Sequence, residues 1–342
     1  MSAYVMRASR LDDFDALMQL AELSGPGFTS LPVDEDRMRW LLDASHKAFN
    51  DRLGPGAYGK FLMMMEHVDT GEVVGCSAVK AGAGVSEPFF NYRIITLAQA
   101  SQAAQRRFDM DALVLTNEFV GYTEVGTLFI KAEHRGGGAG RLASQSRYLL
   151  MAAGPELFGD MVLAELRGVV GSDGVSPFWE CLGRRFFRMS FQEADHLSAV
   201  QDNQFILDLM PKYPIYVDLL PPEAREVIGR CHADGVGALK LLEWEGFRFE
   251  RVVDIFDGGP LVATNLDRIR TIRESRLVSI APGEVEAGAK AILATDQIES
   301  YRATLCEVAL DDDGCRAIVP AEVINRLKLH PGDTARLWTR SS

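Results

Sequence analysis

A cluster of glycines between an apolar run and an amphipathic run constrains the fold more than any other part of the sequence. EVGTLFI, Glu124 to Ile130, predicts a buried strand, and GRLASQSRYLLMAA, Gly140 to Ala153, predicts a helix, with HRGGGAG between them. Glycines let the backbone approach a bound group closely, and the free N–H groups of a first helical turn bind negative charge. This strand, loop and helix therefore predict an anion site suited to a pyrophosphate.

The loop fits the pattern Q/R-x-x-G-x-G/A through Arg135, Gly138 and Gly140. A Walker loop is excluded because G-K-[S/T] is missing. A dinucleotide loop is disfavoured because no acidic residue ends a second strand about 20 residues later. The isolated motif is compatible with a coenzyme A site, with a generic anion site and with a flexible turn.

The order of elements before the loop narrows these alternatives. Tyr4 to Met6 predicts a strand, Leu11 to Leu23 and Asp34 to Phe49 predict helices, and the runs from Lys60 and Glu72 predict two strands joined by a DTG hairpin turn. Strand, helix, helix, strand, strand is unusual for a doubly wound nucleotide fold. It is the expected opening of an acyl-CoA N-acyltransferase fold.

The rest of the chain predicts a mixed architecture. Ala81 to Val114, rich in Ser, Gly and aromatic residues, is interpreted as an irregular elaboration. Met161 to Gly168 predicts a buried strand, and two helical patterns lead into a further strand from Arg251. Short β-like stretches follow from about Ser279, with a turn at Pro331, Gly332 and Asp333.

The predicted fold class is therefore α/β (α+β), with two acyltransferase-like (GNAT-type) lobes of mixed sheet and a small C-terminal β unit. A chain of 342 residues is too long for one ordinary compact core. We expect an N-terminal lobe with the coenzyme A loop over residues 1–160, a second lobe over 161–278, and the β unit over 279–342.

Charge, the N-terminal sequence and cysteine content argue against several classes of partner and site. The 36 basic and 48 acidic residues give a formal charge of −12, which argues against nucleic acid or an anionic membrane as main partner. Arg7, Asp12 and Asp13 interrupt the stretch where a signal peptide would be apolar, and no membrane-spanning run follows. The 5 cysteines form no CxxC pair, so no metal site is indicated. We expect a cytoplasmic protein.

Longer motifs resemble the arginine N-succinyltransferase family, in one order over roughly residues 5 to 280. They include SGPGFTSLP from Ser24, SEPFFNYR from Ser86, EVGTLFI from Glu124, SPFWECLGRRFF from Ser176, LMPKYPIYVDLLP from Leu209, VIGRCHADG from Val227 and DIFDGGPLV from Asp254. The resemblance implies transfer of succinyl from succinyl-CoA to the α-amine of L-arginine in arginine catabolism, giving N2-succinylarginine and coenzyme A.

The resemblance also implies roles for two residues and an assembly. In the family, the position that matches Leu128 is associated with succinyl-CoA binding, and the histidine of the IGxxH motif, here His232, is assigned as proton donor. Many members have VHPQTAPA where this chain has CHADGVGA, so the surroundings of His232 differ. Some members are paired α and β subunits, so the resemblance is compatible with a homomeric member and with the α subunit of arginine/ornithine succinyltransferase. We expect a homo- or hetero-oligomer.

Succinyl transfer by direct attack of an amine on a thioester suggests further roles. His232 and Glu124 are the candidate catalytic residues, because the ammonium must lose a proton and the departing thiolate must gain one. A backbone N–H near Leu128 would stabilise the oxyanion. The predicted coenzyme site comprises Leu128, Phe129, Arg135, Gly136, Gly137, Gly138, Gly140 and Arg141.

Substrate charges suggest the remaining candidates. Arg93 and Arg167 are predicted to bind the succinyl carboxylate, because guanidinium groups bind carboxylates in bidentate geometry. Glu165 is predicted to bind the guanidinium of the acceptor, with an ion pair to Arg167 as the structural alternative.

Two other functions stay open from sequence. One is a related N-acyltransferase with another acyl donor or another acceptor, such as ornithine. The other is a non-catalytic subunit of a heteromeric complex that binds coenzyme A or arginine.

Overall fold

A computed structural model describes residues 3–25, 28, 30–51, 58–200 and 204–339. Part of the motif that begins at Ser24 lies outside these residues. Across the described residues, fifteen strands form one continuous mixed sheet. The strands are β1 (Tyr4–Ala8), β2 (Gly59–His67), β3 (Val73–Ala81), β4 (Asn91–Ser101), β5 (Arg106–Thr116), β6 (Thr123–Ile130), β7 (Met161–Glu165), β8 (Ile215–Tyr216), β9 (Arg248–Asp254), β10 (Pro260–Asn265), β11 (Arg276–Pro282), β12 (Ala289–Thr295), β13 (Arg302–Leu310), β14 (Arg316–Val319) and β15 (Thr334–Thr339).

The strand order is β12-β15-β11-β14-β13-β1-β2-β3-β6-β7-β10-β9-β4-β5-β8. The helices are α1 (Phe14–Ser24), α2 (Glu35–Asn50), α3 (Ala139–Ala153), α4 (Arg184–Phe187), α5 (Phe191–Val200), α6 (Gln204–Leu209), α7 (Pro222–Arg225), α8 (Val236–Glu245), α9 (Arg270–Glu274) and α10 (Ala321–Leu327), with a turn of π-helix at Trp179–Gly183. None of the described helices is both long and apolar enough to cross a membrane.

The predicted opening of the fold is confirmed. One strand, two helices and a strand pair follow each other as β1, α1, α2, β2 and β3. Asp34 caps α2, because its Oδ1 accepts a hydrogen bond of 2.8 Å from the Arg37 N–H. β2 and β3 pair antiparallel, and Gly71 in the DTG turn has a φ of 71°. Local signals were sufficient here.

The interpretation of residues 81–114 as irregular is wrong. β4 and β5 form a long antiparallel hairpin there, paired from Asn91 with Thr116 to Ser101 with Arg106. The outer half of this hairpin is mostly exposed on both faces, so its sequence lacks the alternation of apolar and polar residues that marks a half-buried strand. The prediction failed because burial, the cause of that alternation, is absent.

The C-terminal unit contains β11 to β15 and also α10, a helix that the sequence reading missed. Val323, Ile324 and Leu327 of α10 are buried in a hydrophobic cluster with side chains of these strands. The sheet runs on across the predicted boundaries, through the pairing of β6 with β7 and of β1 with β13. The boundaries at residues 160 and 278 remain predictions.

Helix α3 follows the glycine loop and is almost wholly enclosed. Its residues from Leu142 to Met151 are buried. Within this helix the Gln145 amide donates a hydrogen bond of 2.7 Å to the Thr271 hydroxyl, and Glu245 accepts bonds from the Thr271 N–H and hydroxyl at 2.8 and 2.6 Å. This network ties α3 to α8 and α9, so the start of α3 is held in a fixed position.

Candidate active site

The parallel strands β6 and β7 part at the centre of the sheet. They pair through Thr123 with Val162 and Glu124 with Leu163, and no later pairing joins them among the described residues. β6 continues along β3 to Ile130, and β7 ends at Glu165. A gap therefore opens in the sheet just beyond Glu124.

A β-bulge in β6 lies beside this gap. Thr127 and Leu128 lie opposite the single residue Ser77 of β3, so β6 has one residue more than its neighbour over this stretch. Thr127 has a φ of 53°, a left-handed conformation that is uncommon for a β-branched residue. A bulge interrupts the hydrogen-bond ladder. The backbone near Leu128 is thus released from regular pairing at the position predicted for an oxyanion site.

The glycine loop joins the end of β6 to α3. Gly136, Gly137 and Gly138 have φ values of 110°, 55° and 92°, all of which favour glycine, and Gly138 is the N-cap of α3. A Cβ atom at Gly136, Gly137 or Gly140 would meet nothing within 4 Å, whereas one at Gly138 would lie 2.9 Å from the Leu305 side chain. The exposed loop backbone leaves room for a bound group.

Arg135 and Arg141 flank the loop. Arg135 Nε donates a hydrogen bond of 3.0 Å to the carbonyl of Ile130, and its guanidinium lies 5.9 Å from the centre of the Phe129 ring. The Arg141 guanidinium lies 5.5 Å from the ring centre of Trp244 and 5.9 Å from that of Trp338. Arg141 therefore packs against aromatic rings of α8 and β15.

A cavity of about 190 Å³ lies at the gap. It is formed by α2, β2, β3, β6, the end of β7 and the end of β9. Its polar and charged lining residues are Ser30, Arg37, Lys60, Lys80, Glu87, Glu124, Thr127, Glu165, Ser198 and Asp254.

The acidic side of the cavity comprises Glu124, Glu165 and Asp254. The Asn91 amide donates a hydrogen bond of 2.5 Å to Glu165 Oε1, and Asp254 Oδ1 accepts from the N–H groups of Phe256 and Asp257 at 2.7 and 2.8 Å. Burial raises the pKa of Glu165 well above its usual range, and the charges of Asp254 and Glu124 add to this. No salt bridge reaches Glu165 or Asp254 from the described residues.

The basic side of the cavity comprises Arg37, Lys60 and Lys80. Lys60 and Lys80 lie directly opposite each other on β2 and β3. Glu87 lies 2.6 Å from Arg37 and 3.9 Å from Lys80 Nζ. Burial, together with the nearby charge of Lys80, lowers the pKa of Lys60 to about 8.

The two sides meet in the middle of the cavity. Lys80 of β3 pairs across the sheet with Glu124 of β6, which is the last residue before β6 and β7 part. Positive charge therefore lies on β2 and β3, and negative charge on β6, β7 and the end of β9. Such a cavity suits a pair of reactants of which one ends in a cationic group and the other in an anionic group.

The structure brings some predicted residues to the cavity and not others. Glu124 and Glu165 line it. Arg93 does not, because its Nε lies 2.5 Å from Glu118 Oε1 and its Nη1 donates to the carbonyl of Glu250 at 3.2 Å. Arg167 lies just after the end of β7 and does not line the cavity. The ion pair between Arg167 and Glu165, which was the predicted structural alternative, is not found in the described part of the chain.

His232 lies beside the segment that follows β7 and contains Arg167. Its backbone N–H donates a hydrogen bond of 2.8 Å to the carbonyl of Arg167. Its Nδ1 accepts from the N–H of Asp234 at 3.2 Å and lies 3.6 Å from Asp234 Oδ2. The imidazole is 21% exposed and is not among the residues that line the cavity.

The sequence reading missed Arg37, Lys60, Lys80 and Asp254. One signal could have revealed the lysines, because they are equidistant in sequence from Thr70 in the DTG turn and so must face each other in a regular hairpin. Asp254 was included in a predicted strand with no role. Among the described residues, no cluster of His, Cys, Asp and Glu could hold a metal ion.

Parallel strands that part beside a bulge, a glycine loop that begins a helix and a charged cavity at the gap define an acyltransferase of mixed α/β fold. The family model described as "Arginine N-succinyltransferase beta subunit" matches residues 4–271, and that of its C-terminal domain matches residues 273–339. The chain belongs to the arginine N-succinyltransferase family.

Individual relatives agree with this assignment. A protein named arginine N-succinyltransferase from Enterobacter sp. (strain 638) is 40% identical over 97% of this chain and 96% of its own length. One of the same name from Escherichia coli (strain 55989 / EAEC) is 39% identical over the same shares. A solved structure, described as arginine/ornithine succinyltransferase subunit AI from Pseudomonas aeruginosa, is 32% identical and covers 100% of both chains with a TM-score of 0.92.

Proposed function

We propose that the chain transfers the succinyl group of succinyl-CoA to the α-amine of L-arginine, giving N2-succinylarginine and free coenzyme A. The observation that carries this proposal is the opposed charge of the cavity. The acceptor ends in a guanidinium cation and the acyl group ends in a carboxylate, so each finds a side of complementary charge. The names of the similar proteins support the same pair of substrates.

The acidic side fits the guanidinium of arginine. Glu165 has an elevated pKa because it is buried and lies near Asp254 and Glu124, and no cation of the described ranges is paired to it. A guanidinium bound there supplies that charge and favours the ionised carboxylate. It also offers five N–H donors to acceptors such as the buried Asn91 Oδ1, which has no hydrogen-bond partner among the described residues.

The glycine loop fits the pyrophosphate of coenzyme A. Left-handed glycines with no neighbour near a Cβ position leave the first N–H groups of α3 open to an anion. β6 leads from the bulge to this loop, so a pantetheine arm along β6 would bring the thioester to Leu128. A backbone N–H there would stabilise the oxyanion formed on attack.

The nitrogen of arginine must lose two protons, one from the ammonium before attack and one as the amide forms, and the sulfur of coenzyme A must gain one, so that one proton is released to solvent. Glu124 lies where β6 and β7 part and is the proposed base. The amine then attacks the carbonyl carbon, and the C–S bond breaks as the oxyanion collapses. His232 is the proposed donor to the thiolate. Cys76, the cysteine of β3 near the bulge, has a pKa raised by burial to about 12, which opposes a role as nucleophile.

A thiol-release assay tests the function. Succinyl-CoA and acetyl-CoA are crossed with arginine, ornithine and lysine, using the purified chain. We expect the highest kcat/KM for succinyl-CoA with arginine. Coenzyme binding without turnover of any pair would support the non-catalytic subunit, and a preference for acetyl-CoA or ornithine would support a related acyltransferase.

The proposed proton donor has its own test. His232→Ala should lower kcat by about 100-fold, because a positioned acid contributes roughly 10² to 10⁴ in rate, with little change in coenzyme affinity. Product formation and coenzyme binding by calorimetry measure the two effects. His330→Ala, at a more remote turn of the C-terminal unit, is the control. Unchanged turnover in His232→Ala would remove His232 from the chemistry.

A further inference from the structure

We infer that Lys60 and Lys80, with Arg37 beside them, form the receptor for the terminal carboxylate of the acyl donor, and that this receptor selects a dicarboxylic acyl group over a monocarboxylic one. The inference rests on the proposed function and assigns its donor specificity to side chains that the sequence reading did not connect with it.

The charges around these residues are unbalanced. Lys60 and Lys80 face each other across β2 and β3, and Arg37 and Lys80 share one carboxylate, Glu87. No carboxylate lies within ion-pair distance of Lys60 Nζ in the described ranges. Like charges directly opposite each other on a sheet are destabilising, and a partly buried ammonium calls for a counter-charge. A bound carboxylate would reduce the repulsion between the two lysines and would supply the counter-charge for Lys60.

The position of the lysines favours the donor as the source of that carboxylate. β3, which carries Lys80, is the direct neighbour of the bulged strand β6, and β2 with Lys60 comes next. Glu165 and Asp254 lie on the other side of the gap, at the ends of β7 and β9. An acyl chain that starts at the bulge therefore has the lysines on one side, while the cationic end of the acceptor has the carboxylates on the other.

The first arm of the test compares two donors. Succinyl-CoA and butyryl-CoA differ in that butyryl has a methyl group in place of the carboxylate. Lys60→Met and Lys80→Met remove the charge and keep an unbranched side chain. We expect each to lower kcat/KM for succinyl-CoA by about 10- to 100-fold, the size of a charge-assisted contact, and to leave butyryl-CoA within about threefold. Equal losses with both donors would overturn the inference.

The second arm compares two acceptors, because arginine also carries a carboxylate. Argininamide keeps the α-amine and the guanidinium but replaces the α-carboxylate by a neutral amide. We expect Lys60→Met to lower turnover by the same factor with both acceptors. A loss with arginine that disappears with argininamide would assign the lysines to the acceptor and contradict the inference.

Binding without an acceptor separates this inference from the proposed function. Wild-type protein should bind succinyl-CoA more tightly than butyryl-CoA in calorimetry, and Lys60→Met should remove the difference, even if arginine proved to be the wrong acceptor. Lys60→Arg should retain part of the preference. Lys290→Met, at an exposed position of β12, is the matched control and should change neither affinity. Wild-type affinities that do not differ would contradict the inference.

Discussion

Two cations on neighbouring strands, Arg7 of β1 and Lys60 of β2, are both shielded from water at least in part but are satisfied in opposite ways. Arg7 of β1 is 4% exposed, and its guanidinium contacts Asp13 at 2.7 and 2.8 Å and Glu66 at 2.6 Å. Burial disfavours its charge, yet the two carboxylates raise its pKa overall. Lys60 has no such partner among the described residues, and burial lowers its pKa. We infer from this comparison that the ion pairs of Arg7 stabilise the fold, whereas Lys60 is available to bind a ligand.

The largest expected effect comes from breaking the paired group. Arg7→Met leaves Asp13 and Glu66 without their cation and should lower the free energy of unfolding by about 3 to 5 kcal/mol, as for other buried ion pairs. Urea unfolding measures this loss. The control is Arg39→Met, whose exposed pair with Glu35 spans 3.7 Å and should contribute less than about 1 kcal/mol. A loss at Arg7 no larger than the control would invalidate the comparison.

Substitution of Met for the unpaired Lys60 should raise the free energy of unfolding, whereas the same substitution at Arg7 lowers it. Lys60→Met removes a charge that folding disfavours and should stabilise the protein at pH 7 by roughly 1 to 3 kcal/mol. The folded protein gives up the Lys60 proton near pH 8, below the ordinary lysine value of 10.5, so the penalty is complete below pH 8. It fades as the pH rises toward 10.5. Unfolding curves of both proteins between pH 7 and 10 would show the difference shrink, and a constant or negative difference would contradict the prediction.

Glu165, on the acidic side of the cavity, extends the comparison to a buried carboxylate, through the pH dependence of the free energy of unfolding. Burial raises the pKa of Glu165, so the folded state binds more protons than the unfolded chain above the ordinary value of 4.5, and stability falls as the pH rises through this range. Glu165→Gln should remove that loss and stabilise the protein at pH 8 by about 1 kcal/mol or more, with little effect at pH 4. Thermal unfolding measures it, with the exposed Glu307→Gln as control. The KM for arginine should rise in the same variant.

The last expected effect is on ligand affinity and not on stability, and it tests the glycine loop, where backbone N–H groups bind the anion in place of charged side chains. Gly136→Val places a branched side chain at a φ of 110° and should weaken coenzyme A binding by about tenfold, or 1.4 kcal/mol. Gly71→Val imposes a similar strain in the DTG turn, where a Cβ also meets nothing within 4 Å. Calorimetry with coenzyme A should separate the two variants, and equal affinities would argue against the loop as the pyrophosphate site.

Features with local causes could be predicted from the sequence. The glycine loop and the start of α2 depend on residues only a few positions apart, and both lie where the sequence places them. The carboxylates of the cavity were predicted in part, because Glu124 and Glu165 interrupt apolar strands and a buried carboxylate requires a reason.

Features with distant causes could not be predicted in this way. Asp254 reaches the cavity because β9 lies two strands from β7 in the sheet, and nothing near residue 254 records that order. Arg93 was assigned to a substrate carboxylate, but its strand lies beyond β9, where Glu118 provides a partner. The sequence gives the charge of each side chain, but which opposite charge lies beside it depends on the order of strands in the sheet.

The pairing of β1 with β13 has a consequence for the order in which the protein can fold during synthesis. Val5, Met6 and Arg7 pair with Thr304, Ala303 and Arg302, so one edge of the N-terminal strand finds its neighbour only after about 300 residues have followed it. Until then that edge presents unpaired N–H and C=O groups, which can recruit strands from other chains. A nascent chain stalled before residue 302 should therefore depend on chaperones more than a completed one.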